Sequence, residues 1–168
     1  MRTTLRPAAP ADRSFLLAAY AHSRADVLAM ADWDAATFAS FMQLQFDAQE
    51  RGYRSRFPAS VCSVIECGGQ PIGRLWVDHG AEAIHLLDIT VLASHRRRGL
   101  GTECLLRLMD QARAAGLPLS LQVLHANPAR RLYARLGFVA EAEHGLYTAM
   151  AWRAGHPVPM QEIVHEQA

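Results

Sequence analysis

The sequence predicts an α+β fold: a mixed, mostly antiparallel sheet flanked by helices, with a central β-α-β crossover. The first observation is a pair of strand-like runs, 60–67 and 71–78, separated by Gly68-Gly69, which is typical of a β-hairpin turn. The second is the order of residues 82–124, where a buried strand, an amphipathic helix and another buried strand follow one another. Because hairpins also flank this crossover, the sheet is expected to contain both parallel and antiparallel pairs.

The N-terminal third of the chain is expected to contribute one strand and two helices. Residues 3–6 read as a short strand, and a helix is expected from Pro10 to about Met30. Asp34 stands where the N-cap of a second helix would be, ahead of apolar residues that recur at helical spacing. We expect Gly52 to end this second helix.

The second half of the chain alternates strands and helices. The helix after the 82–92 strand is expected from about Gly101 to Ala115, where Gly116 and then Pro118 form a stop signal. The later elements predicted are a strand at 119–124, a short helix at 128–136, a strand beginning at Gly137-Phe138 and a closing strand near 145–152. Together these elements predict one domain over residues 1–152, followed by a loosely held tail over residues 153–168.

Composition and charge narrow the classes of function. The chain has 168 residues, 51% hydrophobic and 20% charged, which indicates one soluble globular domain. A net charge of +1 disfavours nucleic acid as a partner, and no apolar run is long enough to predict a membrane span. Three cysteines without an N-terminal signal indicate reduced thiols and a cytoplasmic protein. The histidines and cysteines lack metal-binding spacing, so no metal site is expected.

The segment between the 82–92 strand and the next helix predicts a phosphate site. A helix N-terminus offers unpaired N–H groups and the positive end of its dipole, both of which attract anions. Arginines add charge-assisted hydrogen bonds, and glycines let an anion approach the backbone. The spacing fits neither a Rossmann G-x-G-x-x-G loop nor a P-loop. The residues expected to hold the phosphates are Arg96, Arg97, Arg98, Gly99, Leu100, Gly101 and Thr102.

This loop resembles the R/Q-x-x-G-x-G pattern of the GNAT superfamily, which it matches as Arg96-Arg97-Arg98-Gly99-Leu100-Gly101. The order of the elements and the segment NPARRLYARLGF at 127–138 resemble the same family. The resemblance implies a GNAT-like (acyl-CoA N-acyltransferase) fold and acetyl-CoA as cofactor. It implies that the strand before the loop splays from the next parallel strand and that the backbone of Ile89, Thr90 and Val91 binds the pantetheine arm. A backbone N–H near Val91 is then expected to polarise the thioester carbonyl.

The resemblance also assigns roles in the 127–138 segment. It implies that Tyr133 lies beside the CoA sulfur and protonates the leaving thiolate, as a positioned phenol can do. Asn127 is implied to contact the amide groups of the cofactor, but it stands one residue closer to Tyr133 than in the common family pattern. Capping of the short helix is an equal interpretation of Asn127.

Three side chains are candidates for the general base that takes a proton from the acceptor amine: His85, Asp88 and His125. His85 and Asp88 are three residues apart on a strand, so they point to opposite faces unless a bulge intervenes. We favour His85, because the ordinary pKa of an imidazole lies near neutrality. Gln122 occupies the position of a catalytic glutamate in some relatives and cannot act as a base.

The predicted function is transfer of an acetyl group from acetyl-CoA to a primary amine by direct attack, without a covalent cysteine intermediate. The alternative is a non-catalytic CoA-binding or sensor module. The acceptor is expected to be a small molecule or a peptide amine, and the N-terminal region is expected to contact it, with Arg24, Asp26 and Arg54 as candidates. A homodimer is the default oligomer for such a protein.

Overall fold

The structure is a computed structural model that describes residues 2–24 and 32–155. Its strands are β1 (Thr3–Pro7), β2 (Val61–Cys67), β3 (Gln70–His79), β4 (Ile84–Val91), β5 (Leu119–Leu124), β6 (Val139–His144) and β7 (Tyr147–Trp152). Its α-helices are α1 (Arg13–His22), α2 (Ala35–Arg56), α3 (Leu100–Ala115) and α4 (Ala129–Arg135), and short 3₁₀ turns lie at Pro10–Asp12 and Ala93–His95.

The seven strands form one sheet in the order β1-β2-β3-β4-β5-β7-β6. The β4–β5 pair is parallel and is joined by the α3 crossover, whereas the other neighbouring pairs are antiparallel. The α+β prediction, with a mixed sheet and a central β-α-β crossover, is therefore confirmed.

Each face of the sheet has its own hydrophobic cluster. One cluster packs α3 and α4 against the sheet, and the apolar stripe of α3 supplies Leu100, Cys104, Leu105, Leu108, Met109 and Ala112 to it. The other packs α1 and α2 against the opposite face, with Leu16, Tyr20, Met42, Phe46 and Val64 buried. The two clusters cover the sheet from both sides, and β4 and β5 contribute apolar side chains to the first of them.

Local signals in the sequence explain most element boundaries. Asp34 caps α2 by accepting hydrogen bonds from the backbone N–H groups of Ala36 and Thr37 at 3.0 and 2.9 Å, as predicted. The hairpin turn at Gly68-Gly69 is also confirmed, with φ of 59° and 77°. The prediction that Gly52 ends α2 is wrong, because the helix continues to Arg56. An interior glycine costs only about 1 kcal/mol, which the contacts of the next residue, Tyr53, with Leu87 and Trp76 of the sheet offset.

Two predicted boundaries extend beyond the described residues. Helix α1 ends at His22, and the rest of the range predicted up to Met30 falls largely on residues 25–31, outside the described part. The tail predicted at 153–168 is described only to residue 155. The division into a domain over 1–152 and a tail therefore stays a prediction.

Candidate active site

Strands β4 and β5 separate after a short parallel contact. They pair only from Ile84 with Leu119 to Leu86 with Leu121, although β4 continues to Val91 and β5 to Leu124. Beyond that contact the two strands lack ladder partners in each other, so a gap opens between them. The gap gives an extended ligand direct access to the β4 backbone.

A bulge in β4 lies at the start of this gap. Trp76 of β3 pairs with Asp88 but its neighbour Val77 pairs with Leu86, so Leu87 is the extra residue. The bulge reverses the alternation of side chains, and His85 and Asp88 consequently lie on the same face, the one covered by α2. The sequence allowed for this outcome only if a bulge intervened, and the structure contains that bulge.

Past the bulge, alternate backbone groups of β4 face the gap. The N–H of Leu92 donates to the carbonyl of Ile72 at 2.8 Å. In an antiparallel ladder the neighbouring residue points its backbone groups the other way, so the N–H groups of Ile89 and Val91 face away from β3. The carbonyl of Val91 on that side accepts a hydrogen bond from Nε of Arg96 at 2.8 Å. The hydroxyl of Thr90 instead donates to Asp88 at 3.2 Å on the α2 face.

The loop from Arg96 to Gly99 leads into the N-terminus of α3. Arg97 and Gly99 have φ of 58° and 77°, left-handed values that turn the chain sharply before Leu100 begins the helix. Arg96, Arg97 and Arg98 are exposed, while Leu100 is buried and anchors the helix. The first-turn N–H groups, including those of Gly101 and Thr102, have no partner within the helix. Exposed guanidinium groups around such a helix end suit a polyphosphate.

Tyr133 of α4 is buried on the α3 side of the sheet. Only 7% of the residue is exposed, and its ring lies 5.6 Å from the ring of Phe138. Burial raises the pKa of Tyr133 to about 12, and the charge of Asp88 adds to the rise. The phenol therefore keeps its proton at neutral pH, which is the state that a general acid needs.

The residues between β5 and α4 have structural contacts of their own. Asn127 caps α4, because its Oδ1 accepts a hydrogen bond from the N–H of Ala129 at 2.9 Å. His125 borders a groove beside α4, and its buried Nε2 has no hydrogen-bond partner among the residues that the structure describes. His125 is therefore not part of the cavity in which His85 lies.

A cavity of about 860 Å³ lies on the α2 face, over β4, β5 and β7. Aromatic and neutral polar side chains form much of its wall. They include Tyr20, Gln45, Gln49, Tyr53, Phe57, His85, Ser120, Gln122 and Tyr147. The cavity reaches Leu86 and Leu121, the last strand pair before the gap, and has a volume suited to a small molecule.

His85 and Asp88 have different surroundings within this face. Nδ1 of His85 and Oγ of Ser120 lie 2.7 Å apart, and the imidazole packs beside the ring of Phe57 in the cavity wall. Asp88 accepts a hydrogen bond from Nε of the buried Arg74 at 2.9 Å. Thus His85 borders the cavity, whereas the carboxylate of Asp88 is held by an arginine.

The sequence analysis missed Arg74 and did not foresee the contact that Tyr53 makes with β4. Arg74 is 2% exposed and donates a hydrogen bond to Gln49 at 2.7 Å. In the sequence, its only distinguishing feature is that it is a charged residue within an apolar strand. Tyr53 donates from its hydroxyl to the carbonyl of Leu87 at 2.8 Å, so α2 holds the bulge directly. Burial raises the pKa of Tyr53, which keeps the phenol a donor.

The candidate acceptor contacts separate in the structure. Arg24 borders the cavity, Arg54 stacks over Trp76 with its guanidinium carbon 5.3 Å from the ring centroid, and Asp26 lies outside the described residues. Within residues 2–24 and 32–155 no cluster of metal-binding side chains is found. No helix among these residues is long and apolar enough to cross a membrane.

Comparisons with known proteins agree with this geometry. The sequence model of the acetyltransferase (GNAT) family matches residues 27–138, well over half of the chain. PaiA N-acetyltransferase from Thermoplasma acidophilum, solved with coenzyme A, is 16% identical with a TM-score of 0.70, covering 91% of this chain and 99% of that one. A GCN5-related N-acetyltransferase from Rhodopseudomonas palustris is 22% identical with a TM-score of 0.66, covering 91% and 96%.

A further solved structure, YncA from Salmonella typhimurium with acetyl-CoA, is 22% identical with a TM-score of 0.55, covering 95% of this chain and 98% of that one. No curated protein sequence matches significantly. The structural matches confirm the GNAT-like fold, and acetyl-CoA, the cofactor expected from the sequence, is the cosubstrate of this family.

Proposed function

Because the chain belongs to the acetyltransferase (GNAT) family, we propose that it transfers the acetyl group of acetyl-CoA to a primary amine by direct attack. The observation that carries the proposal is the gap between β4 and β5, which connects the α3 phosphate loop to the α2-face cavity. One ligand in the gap and another in the cavity would meet beside the bulge at Leu87.

The residues around the gap fit the parts of acetyl-CoA. Arg96, Arg97 and Arg98 with the first turn of α3 suit its phosphates, because they combine cationic side chains with unpaired N–H donors. The N–H groups of Ile89 and Val91 suit the amide-rich pantetheine arm, and one of them polarises the thioester carbonyl. Asn127 contributes its amide NH₂, since its oxygen caps α4.

The acid and base act from opposite faces of the sheet. When bound, acetyl-CoA supplies the acetyl thioester that the acceptor amine attacks. His85 takes the amine proton from the cavity side, and its contact with Ser120 orients the imidazole. Tyr133 donates its proton to the departing sulfur from the α4 side. The ion pair of Asp88 with Arg74 holds β4 in position between His85 and Tyr133.

The surroundings of the cysteines support direct attack. Cys67 and Cys104 are buried, and Cys62 is half-buried. Burial raises the pKa of Cys104, and it raises the pKa of Cys62 to about 11. A thiol with a raised pKa carries little of the nucleophilic thiolate at neutral pH. A covalent acetyl-cysteine intermediate is therefore not part of the proposal.

Calorimetric titration with acetyl-CoA tests the cofactor site. We expect micromolar binding that weakens about tenfold or more in Arg98→Ala, because one charge-assisted contact to phosphate is lost. Arg51→Ala removes an equally exposed charge from α2, away from the loop, and should bind like the wild type. Equal affinity for acetyl-CoA in the wild type and both variants would contradict phosphate binding by this loop.

Turnover of an amine panel by Tyr133→Phe tests catalysis. Loss of a general acid should lower kcat about a hundredfold while the affinity for acetyl-CoA stays within about twofold. Phenylalanine keeps the ring packing against Phe138, so the fold should persist. Tight cofactor binding without acetylation of any amine, in the wild type and the variant alike, would favour the non-catalytic CoA-binding module.

A further inference from the structure

The α2-face cavity has an uneven distribution of charge. Apart from His85, its charged lining residues are Arg24, Arg56 and Glu141. Glu141 forms an ion pair with Arg153, which balances its charge. Neither Arg24 nor Arg56 has an ion-pair partner in the described part of the chain. The cavity wall therefore presents an excess of positive charge to a ligand.

Asp88, which lies on the same face of the sheet but does not line the cavity, does not offset that excess. Its carboxylate lies 2.9 Å from Nε of Arg74, and the pair is neutral as a whole. The charges of Asp88, Arg74 and Arg24 all affect the pKa values of Tyr53 and Tyr20, which border the cavity. A second cationic group entering this cavity would meet two unpaired arginines and no unpaired carboxylate among the described residues.

Arg24 is held in place for recognition. Its guanidinium carbon lies 3.7 Å from the centroid of the Tyr20 ring, and Nη1 donates to the hydroxyl of Ser23 at 3.0 Å. Stacking on Tyr20 of α1 orients the planar guanidinium group and leaves further N–H donors for a ligand. Arg56 lies in the last turn of α2, where its charge also offsets the helix dipole, and its guanidinium carbon is 5.3 Å from the centroid of the Phe57 ring. The closer stacking and the hydrogen bond of Arg24 make Arg24 the better placed of the two for a specific contact.

From these contacts we infer that the acceptor amine also bears a carboxylate, as a free amino acid does, and that Arg24 binds this carboxylate. The inference rests on the proposed function and names the acceptor class of the same site. It disfavours polyamines and other polycations, whose additional charges the cavity would repel. The aromatic wall around Tyr20, Phe57 and Tyr147 suits the apolar part of such an acceptor.

Matched pairs of amines test this inference. Each of several L-amino acids is compared with its own amide, and putrescine serves as the polycation, with release of the CoA thiol measured at saturating acetyl-CoA. Rates are expressed per free amine, since an amide lowers the pKa of the neighbouring amino group. We expect the best amino acid to exceed its amide about tenfold or more in kcat/KM, the effect of one charge-assisted contact.

The variant Arg24→Gln should remove the preference, with the amide rate changed less than about twofold. Arg54→Gln is the matched control, because Arg54 stacks on Trp76 and does not border the cavity. Preference for amides or putrescine over amino acids, with acetyl transfer intact, overturns the inference but leaves the proposed function standing.

A binding measurement covers the case in which no amine is turned over. That result contradicts the proposed catalysis, and the same panel is then titrated into the CoA-saturated protein. Carboxylate-dependent binding that Arg24→Gln abolishes and Arg54→Gln retains supports Arg24 as the carboxylate site. Equal binding of acids and amides, or none by either, overturns the inference.

Discussion

The two faces of the sheet are stabilised by different interactions. Under α3 and α4, one apolar cluster buries twenty of the described residues, and burial raises the pKa of its ionisable phenol, Tyr133. Under α1 and α2, the described part of the chain buries five residues in its cluster and encloses the guanidinium of Arg74. The first face excludes charge, whereas the second contains a charge with its partners.

This difference matches the division of labour that we propose for the site, with a cofactor half and an acceptor half. The cofactor half depends on the backbone of β4 and on the end of α3, which apolar packing holds in place. The acceptor half depends on side chains whose hydrogen bonds connect α2 to the sheet, as in the contacts of Arg74 with Gln49 and of Tyr53 with Leu87. We therefore expect the α2 face to be sensitive to loss of a charge partner or a hydrogen bond, and the α3 face to be sensitive to ionisation of its buried phenol.

Removing the buried charge should have the largest effect. Arg74→Met leaves the carboxylate of Asp88, 17% exposed, without its partner, and we expect a loss of about 3 kcal/mol in the free energy of unfolding. The double variant Arg74→Met/Asp88→Asn should recover at least about 1 kcal/mol, since no unpaired charge remains. Urea unfolding followed by circular dichroism measures both. A loss below about 1 kcal/mol in the single variant would show that the charge pair does not distinguish this face.

The sequence predicted the proposed cofactor half in detail because its parts are close together along the chain. A strand, three arginines, two glycines and a helix start occupy residues 82–102, and each has a local signal. The divergence of β4 from β5 also follows from the resemblance of this segment. The short-range order of residues therefore predicted the strand, the loop and the helix start that the structure contains, and phosphate binding by this loop stays a prediction.

The acceptor half depends on contacts between distant residues, and the sequence predicted little of it. Arg74 meets Asp88, and Tyr53 of α2 meets Leu87 of β4, through pairings that no local pattern encodes. The bulge at Leu87 decides which side chains share a face, and one extra residue in a ladder leaves no clear trace in the alternation. Gly52 failed as a helix end for a related reason, since packing outweighed a local propensity.

Alkaline pH should destabilise the face that α3 and α4 cover. Burial raises the pKa of Tyr133 from about 10 in the unfolded chain to about 12, so above pH 10 the unfolded state releases a proton that the folded state retains. The contribution of Tyr133 to the free energy of unfolding is complete below pH 10 and is lost as the pH rises to 12, a decrease of about 2–3 kcal/mol in all. Tyr133→Phe should lose stability less steeply across this range, measured by urea unfolding at each pH.

The control for this prediction is Tyr147→Phe, because Tyr147 is 45% exposed. Tyr20 and Tyr53, whose pKa values are also raised by burial, remain in both variants and cancel in the comparison. Parallel curves for the wild type and Tyr133→Phe between pH 10 and 12 would mean that Tyr133 is not the buried neutral group of this face.

The smallest change concerns the contact between α2 and the β4 bulge. Tyr53→Phe removes the hydrogen bond to the carbonyl of Leu87 but keeps the edge-on packing against Trp76, so the cost in stability should be about 1 kcal/mol. Because Leu87 precedes the backbone groups that face the gap, we expect kcat to fall about fivefold to tenfold while acetyl-CoA affinity stays unchanged. Tyr20→Phe, from the same cavity wall, serves as the control and should retain kcat. A change in cofactor affinity equal to that in kcat would mean that α2 supports the whole gap, and the separation of the two halves proposed here would then fail.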